Sequence, residues 1–101
     1  MAGHPAVHYP CYVDFAYTYV LLCADGGWYI GSTDNLRRRV DEHNQGMCDN
    51  TRKRLPVELV YYEACRSLEA ARAREHQLKT GYGRGYLNKR LHFEDKSCRP
   101  S

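Results

Sequence analysis

The sequence predicts an α/β chain of the α+β kind: a three-stranded, largely antiparallel sheet flanked by helices, in the order β-β-α-β-α-α. Three observations predict it. Two runs of aromatic and branched apolar residues, Tyr17–Cys23 and Trp28–Ile30, flank the turn signal Asp25-Gly26-Gly27. Leu36 and Val40 then repeat at helical spacing behind capping residues. A third apolar run, Val57–Cys65, precedes two further helical stretches. Packing helices on a small sheet is the economical way to bury these faces.

Residues 1–15 contain two prolines and show no clear period, so they read as an N-terminal extension. The domain is expected over 16–92. Tyr17–Cys23 and Trp28–Ile30 form its hairpin. Thr33 or Asp34 offers a helix N-cap, and the helix runs to about Asn44 with Gly46 as its stop. Met47–Leu55 reads as a polar, basic loop. Pro56 opens the third strand, and Ser67 caps a second helix that ends near Lys79. Gly81, Gly83 and Gly85 are expected to break it, leaving a short last helix from about Tyr86 to His92. Residues 93–101 read as a tail.

Composition narrows the function classes. The chain has 101 residues, enough for one modest core, and 43% are hydrophobic. No apolar run reaches the ~18 residues of a membrane span, and the first ten residues lack a secretory pattern. The expected localisation is therefore cytoplasmic. Five cysteines, Cys11, Cys23, Cys48, Cys65 and Cys98, are scattered without a Cys-x-x-Cys pair, which argues against a disulfide framework or structural zinc. The net charge is only +3, yet Arg66–Arg90 holds seven basic residues against two acidic ones. That clustering suits a phosphate-bearing partner or a solvated helix face.

Candidate chemistry begins on the first helix. Projected at ~100° per residue, Arg39 and His43 fall beside the Leu36–Val40 stripe, whereas Arg37 and Arg38 point away. On the second helix, Glu75 projects to the middle of the inward face. A carboxylate there must be protonated, paired with a cation or holding a metal. Carboxylate oxygen is the usual ligand for magnesium or manganese. Tyr19 and Tyr29 share a face of the hairpin only if its loop has odd length or a bulge. A three-residue loop Asp25-Gly26-Gly27, with Gly27 left-handed, would satisfy this.

Taken together, these residues resemble a known family. Tyr17-Thr18-Tyr19, nine residues, then Tyr29-Ile30-Gly31 resembles the paired motif of GIY-YIG nucleases. Gly31-Ser32-Thr33-Asp34-Asn35-Leu36, Arg39, His43-Asn44 and Gly46 continue the likeness. Pro56, Leu59-Val60-Tyr61-Tyr62-Glu63, Ala71, Arg74-Glu75 and Lys79 extend it. Gly83-Arg84 and Leu87–Leu91 are similar to the end of small stand-alone bacterial members. One departure is Tyr17, where the first motif often has glycine.

The resemblance implies a role for each matching residue. Tyr19 and Tyr29 correspond to the two motif tyrosines, Arg39 to the arginine on the scissile phosphate, and His43 to a frequent helix histidine. Glu75 corresponds to the carboxylate that binds one divalent metal ion, Mg²⁺ or Mn²⁺. The implied activity is metal-dependent DNA endonuclease cleavage, structure-selective or non-specific, in repair or recombination. Tyr19 is the expected base for water once Arg39 and the metal lower its pKa from about 10. Arg37, Arg52, Lys79 and Arg84 are the expected phosphate contacts, with Thr51–Arg54 and the Gly81–Gly85 segment approaching the DNA backbone. A non-catalytic nucleic-acid-binding module of the same fold is the alternative. A third reading is an interaction subunit whose partner protein supplies targeting.

Overall fold

The computed structural model describes residues 14–91. Most of the N-terminal extension, His92 and the 93–101 tail lie outside the described residues, as do Cys11 and Cys98. Seven elements follow in order: β1 (Ala16–Cys23), β2 (Trp28–Thr33), α1 (Leu36–Asn44), a 3-10 turn (Arg52–Arg54), β3 (Val57–Cys65), α2 (Leu68–Leu78) and α3 (Gly81–Arg90). The sheet order is β2-β1-β3, and both pairings are antiparallel. The expected β-β-α-β-α-α architecture is therefore the one observed.

β1 lies in the centre, which explains why its Tyr-Val-Leu-Leu run does not alternate: both its faces are covered. On one face, Tyr19, Leu21, Cys23 and Val57 form a core closed by Leu36 and Val40 of α1. On the other, Val20 packs with Leu78 of α2 and Leu87 of α3, with Trp28 and Ile30 against them. A register shift between Val20 and Leu21 inserts a bulge in the β1–β3 ladder. The bulge reverses the parity of β3, so Tyr62 pairs with Tyr19 while Leu59 pairs with Leu21.

Loop chemistry departs from the sequence expectation in three places. The hairpin loop is Ala24-Asp25-Gly26, one residue earlier than expected. Cys23 N–H bonds to Gly27 O and Gly26 N–H to Cys23 O, both at 2.9 Å. Gly26, not Gly27, takes the left-handed conformation, at φ +88°. Asp25 explains the shift: its Oδ1 accepts from Gly27 N–H at 2.9 Å, and Arg54 clamps the same carboxylate at 2.7 and 3.2 Å.

The cap of α1 is Asn35 rather than Thr33 or Asp34. Asn35 accepts from Arg38 N–H at 3.1 Å, while Thr33 accepts from Asn35 N–H and fixes the cap itself. Gly46 does stop the helix. It sits at φ +80°, with Gly46 N–H on His43 O and Met47 N–H on Glu42 O, both at 3.0 Å.

The third departure is α3. It starts at Gly81, so the three glycines lie inside the helix instead of before it. Each costs about 1 kcal/mol of helix propensity relative to alanine. Tertiary packing overrides that cost. A Cβ on buried Gly83 would overlap the backbone of Gln77 and Leu78, so only glycine lets α3 seat against the end of α2. Thr80 caps the helix by accepting from Gly83 N–H at 3.1 Å. Ser67 caps α2 as expected, accepting from Ala70 N–H at 3.0 Å.

Candidate active site

The hairpin register sets the first part of the site. Leu21 pairs with Tyr29 and Tyr19 with Gly31, so the two tyrosines share the α1 face of the sheet. Their ring centroids are 6.2 Å apart. Gly31 is what permits this. A Cβ there would stand 2.6 Å from Tyr19 Oη and 3.0 Å from Tyr29 Cε2, so both phenols lie over bare backbone.

α1 supplies the next two groups. His43 is fully buried, with Nε2 2.9 Å from Tyr19 Oη and Nδ1 2.8 Å from Thr51 Oγ1. Tyr29 packs edge-on to the same imidazole at 4.9 Å. Burial, aided by the Arg39 charge, holds the His43 pKa below its usual 6.5, so the ring is neutral at physiological pH. Arg39 lies one turn before His43. Its Nη1 donates to Glu42 Oε1 at 2.9 Å and its Nη2 faces Cys48 Sγ at 3.8 Å, while the charged head stands against Tyr19. Arg37 and Arg38 project to solvent, as the helical projection predicts, and Arg38 pairs with Asp34 and Glu42.

The expectation that Arg39 lowers the Tyr19 pKa holds only in direction. Burial of the phenol is the larger influence and raises it well above the ordinary tyrosine value, and Arg39 offsets only part of that rise. Burial also raises Tyr29, against a lowering contact from Asn50. Both phenols are thus protonated at neutral pH.

Glu75 lies elsewhere than projected. It is on α2, across the sheet from the tyrosines, and half-buried rather than central in the inward face. Its Oε1 accepts from Ser32 Oγ at 2.7 Å and its Oε2 from Lys79 Nζ at 2.6 Å. Lys79 is therefore the cation that satisfies this carboxylate. The neighbouring Arg74 instead forks onto Glu63 at 2.8 and 3.0 Å, above the Tyr86 ring. Because β2 is an edge strand, Glu75 reaches around it closely enough for its charge to act on the Tyr29 phenol.

A hard divalent cation fits this corner in donor chemistry. A carboxylate and a hydroxyl supply oxygen, and a cation already sits on the carboxylate. Among the described residues, no cluster of three or more acidic, histidine or cysteine side chains surrounds it. Glu75 would be the one carboxylate ligand, with water or phosphate oxygens completing the shell.

The basic residues divide. Lys79 and Arg84 line a groove of about 520 Å³ along the free edge of β2, with Gly26, Trp28 and Tyr29. Arg37 borders a shallower one of about 430 Å³ with Tyr17 and Tyr62. Arg52 is exposed and pairs with Asp49 at 2.6 Å. Arg54 is occupied by Asp25, and the Gly81–Gly85 segment is helix. Its close backbone approach is to α2 of its own chain, which corrects the expectation of an open glycine loop.

Sequence reasoning missed Thr51, Ser32 and Asn50. Thr51 sits among basic residues in a stretch with a polar loop pattern, yet it is fully buried. Ser32 carried one usable signal: it directly follows Gly31 and lies on the strand face opposite Tyr29.

Comparison with known proteins adds to this geometry. A family model described as the GIY-YIG catalytic domain matches residues 15–90. A UPF0213 protein of Haloquadratum walsbyi is 43% identical over 68 residues, covering 66% of this chain and 76% of the relative. One from Natronomonas pharaonis is 51% identical over 65 residues, covering 63% and 76%. One from Streptococcus pneumoniae is 49% identical over 65 residues, covering 63% and 66%. The solution NMR structure of a UPF0213 protein from Bacillus halodurans aligns at TM-score 0.47 and 35% identity, over 74% of this chain and 83% of that one.

Proposed function

The chain belongs to the GIY-YIG family, and from that premise we propose that it is a metal-dependent endonuclease that hydrolyses phosphodiester bonds in DNA. One observation carries the reading. Tyr19, Tyr29, Arg39 and His43 converge on one sheet face, while Glu75 and Lys79 stand at the adjoining edge of β2.

Arg39 presents a permanent charge and a planar set of donors, suited to two oxygens of a scissile phosphate. Tyr19 lies against that guanidinium, and Tyr29 is placed beside it to orient a water or a phosphate oxygen. A phosphate at Arg39 brings no positive charge of its own, so Tyr19 works at neutral pH as a hydrogen-bond donor to a phosphate oxygen or to the water. It acts as a base only in the fraction ionised. A divalent ion, when bound, would be held by Glu75 and would polarise a phosphate oxygen and steady the leaving oxygen. Lys79, on Oε2 of the same carboxylate, would stand beside such an ion.

Binding is mainly electrostatic. Lys79 and Arg84 on the β2-edge groove, with Arg37 and Arg52 further out, contact phosphates instead of reading bases. That favours a non-specific or structure-selective enzyme, consistent with a role in repair or recombination inside the cell.

A cleavage panel tests the proposal. Linear, nicked, flapped, branched and single-stranded DNA are incubated with Mg²⁺, Mn²⁺ or chelator, beside Glu75→Ala. Cleavage that needs metal and is lost in a folded Glu75→Ala protein is expected. Full activity of that variant overturns the metal assignment. Binding without cleavage of any substrate supports the non-catalytic module instead.

A further inference from the structure

Trp28 is the single tryptophan of the chain and takes no part in the chemistry at Tyr19 and Glu75. It is half-buried. Part of the indole packs on Val20, Leu78 and Leu87, and part lines the groove of about 520 Å³ along the free edge of β2. The core thus fixes the ring while leaving some of its surface open.

The rest of the groove has the character of a nucleotide site. Its lining holds two cations, Lys79 and Arg84, and no carboxylate. Arg84 is exposed, and among the described residues no carboxylate pairs with it. Asn88 lies one turn beyond Arg84 on the same face of α3 and lines the groove too. Its amide offers donors and an acceptor to a base edge. The volume falls within the ~300–1,000 Å³ of clefts that take small organic groups. A base inside a duplex cannot use such a site, because its neighbours cover its faces and only its edges show in the grooves. An unpaired base presents a face, and stacking on an aromatic side chain tolerates any base. The groove also adjoins the reacting groups. Lys79 holds Glu75, and Tyr29, which lines the groove as well, packs on His43.

We propose that the β2-edge groove is a subsite for an unpaired nucleotide, with its base stacked on Trp28 and its phosphate on Lys79 and Arg84, so that the preferred substrate is DNA with single-stranded character beside the scissile phosphate. The cleavage of that strand rests on the nuclease reading; the stacking at Trp28 does not.

The fluorescence of Trp28 reports on its own groove. The full chain is titrated at low salt, in chelator so that no cleavage occurs, with a short oligothymidine and with the same strand annealed to its complement. Saturable quenching by the single strand is expected, at least about threefold larger than with the duplex. Trp28→Leu keeps an apolar side chain against Leu78 and Leu87 and removes the stacking surface. By anisotropy of labelled DNA it is expected to bind the single strand about tenfold more weakly and the duplex within about twofold of the natural protein, whereas Trp28→Phe loses about threefold or less on the single strand. A substitution that only loosened the fold would weaken both DNAs alike. Equal quenching by the two DNAs overturns the proposal, and so does a folded Trp28→Leu protein that binds the single strand as the natural protein does. Should Trp28→Leu not fold, the quenching of the natural protein and the binding of Trp28→Phe decide alone. If the single strand quenches Trp28 selectively but no DNA is cleaved with metal, the subsite stands and the nuclease reading gives way to the binding module. If metal-dependent cleavage is found but the single strand does not quench Trp28, the nuclease reading stands and the subsite fails.

Discussion

Replacing Gly31 by alanine adds one methyl group at the most crowded point of the site. The new Cβ would lie 2.6 Å from Tyr19 Oη, 2.8 Å from Tyr19 Cζ and 3.0 Å from Tyr29 Cε2. All three belong to rigid phenol groups fixed by packing, so the methyl cannot be accommodated by a flexible tip. Overpacking of this kind costs about 1–3 kcal/mol. If Tyr19 retreats, it also loses His43 Nε2, and a buried bond of that sort is worth about 1 kcal/mol. The expected loss is therefore ~2–4 kcal/mol, a large share of the ~5–15 kcal/mol typical of a domain.

Urea unfolding of Gly31→Ala measures the loss, and the same protein assayed below its midpoint is expected to cleave DNA poorly because Tyr19 is displaced. A double-mutant cycle with Tyr19→Phe isolates the cause. Removing Oη removes the shortest contact, so Gly31→Ala is expected to cost at least about 1 kcal/mol less in that background. A cost below ~0.5 kcal/mol for Gly31→Ala, or equal costs in both backgrounds, would refute the packing argument.

Three further outcomes are expected. Arg39→Ala lowers kcat/KM about 100-fold, as for loss of one transition-state donor, and a change under about threefold would show that Arg39 only packs. His43 has a folded pKa below its usual 6.5, so the unfolded chain binds its proton first as pH falls. Its contribution is therefore complete above that value and is lost on acidification through it, and urea midpoints at pH 7.5 and 5 should separate more for the natural protein than for His43→Gln. Arg84→Ala is expected to reduce the salt slope of DNA binding by about one, whereas Arg54→Ala leaves it unchanged because that guanidinium is held by Asp25; equal slopes for the two variants would reject the β2-edge groove as the DNA track.

Much of the site was legible before folding. The 3.6-residue period alone separated Arg39 and His43 from Arg37 and Arg38, because a helix fixes side-chain direction locally. Glu75 was legible as an anomaly but not in its setting. Helical projection gives a direction around an axis, not the position of that axis at a sheet edge, where a lysine one turn on and a serine from β2 reach the carboxylate. Thr51 was illegible because the His43 ring nitrogen that its hydroxyl meets is eight positions away across an irregular loop.

The sequence by itself determined the elements and their order, the caps at Ser67 and Gly46, and which residues had to be explained by chemistry. Those are consequences of short-range sterics and hydrogen bonding within a few residues. Only the tertiary structure decided that Tyr19 and Tyr29 share a face, because the Asp25-Gly26-Gly27 turn signal is compatible with loops of odd or even length, and the three-residue loop that forms is anchored on Asp25 by Arg54 from a distant loop. It likewise decided that three glycines lie within a helix, because the close seat of Gly83 against Leu78 outweighs their local preference. Register and packing are settled by contacts between segments far apart in the chain, and there a small local bias yields to what the whole core can bury.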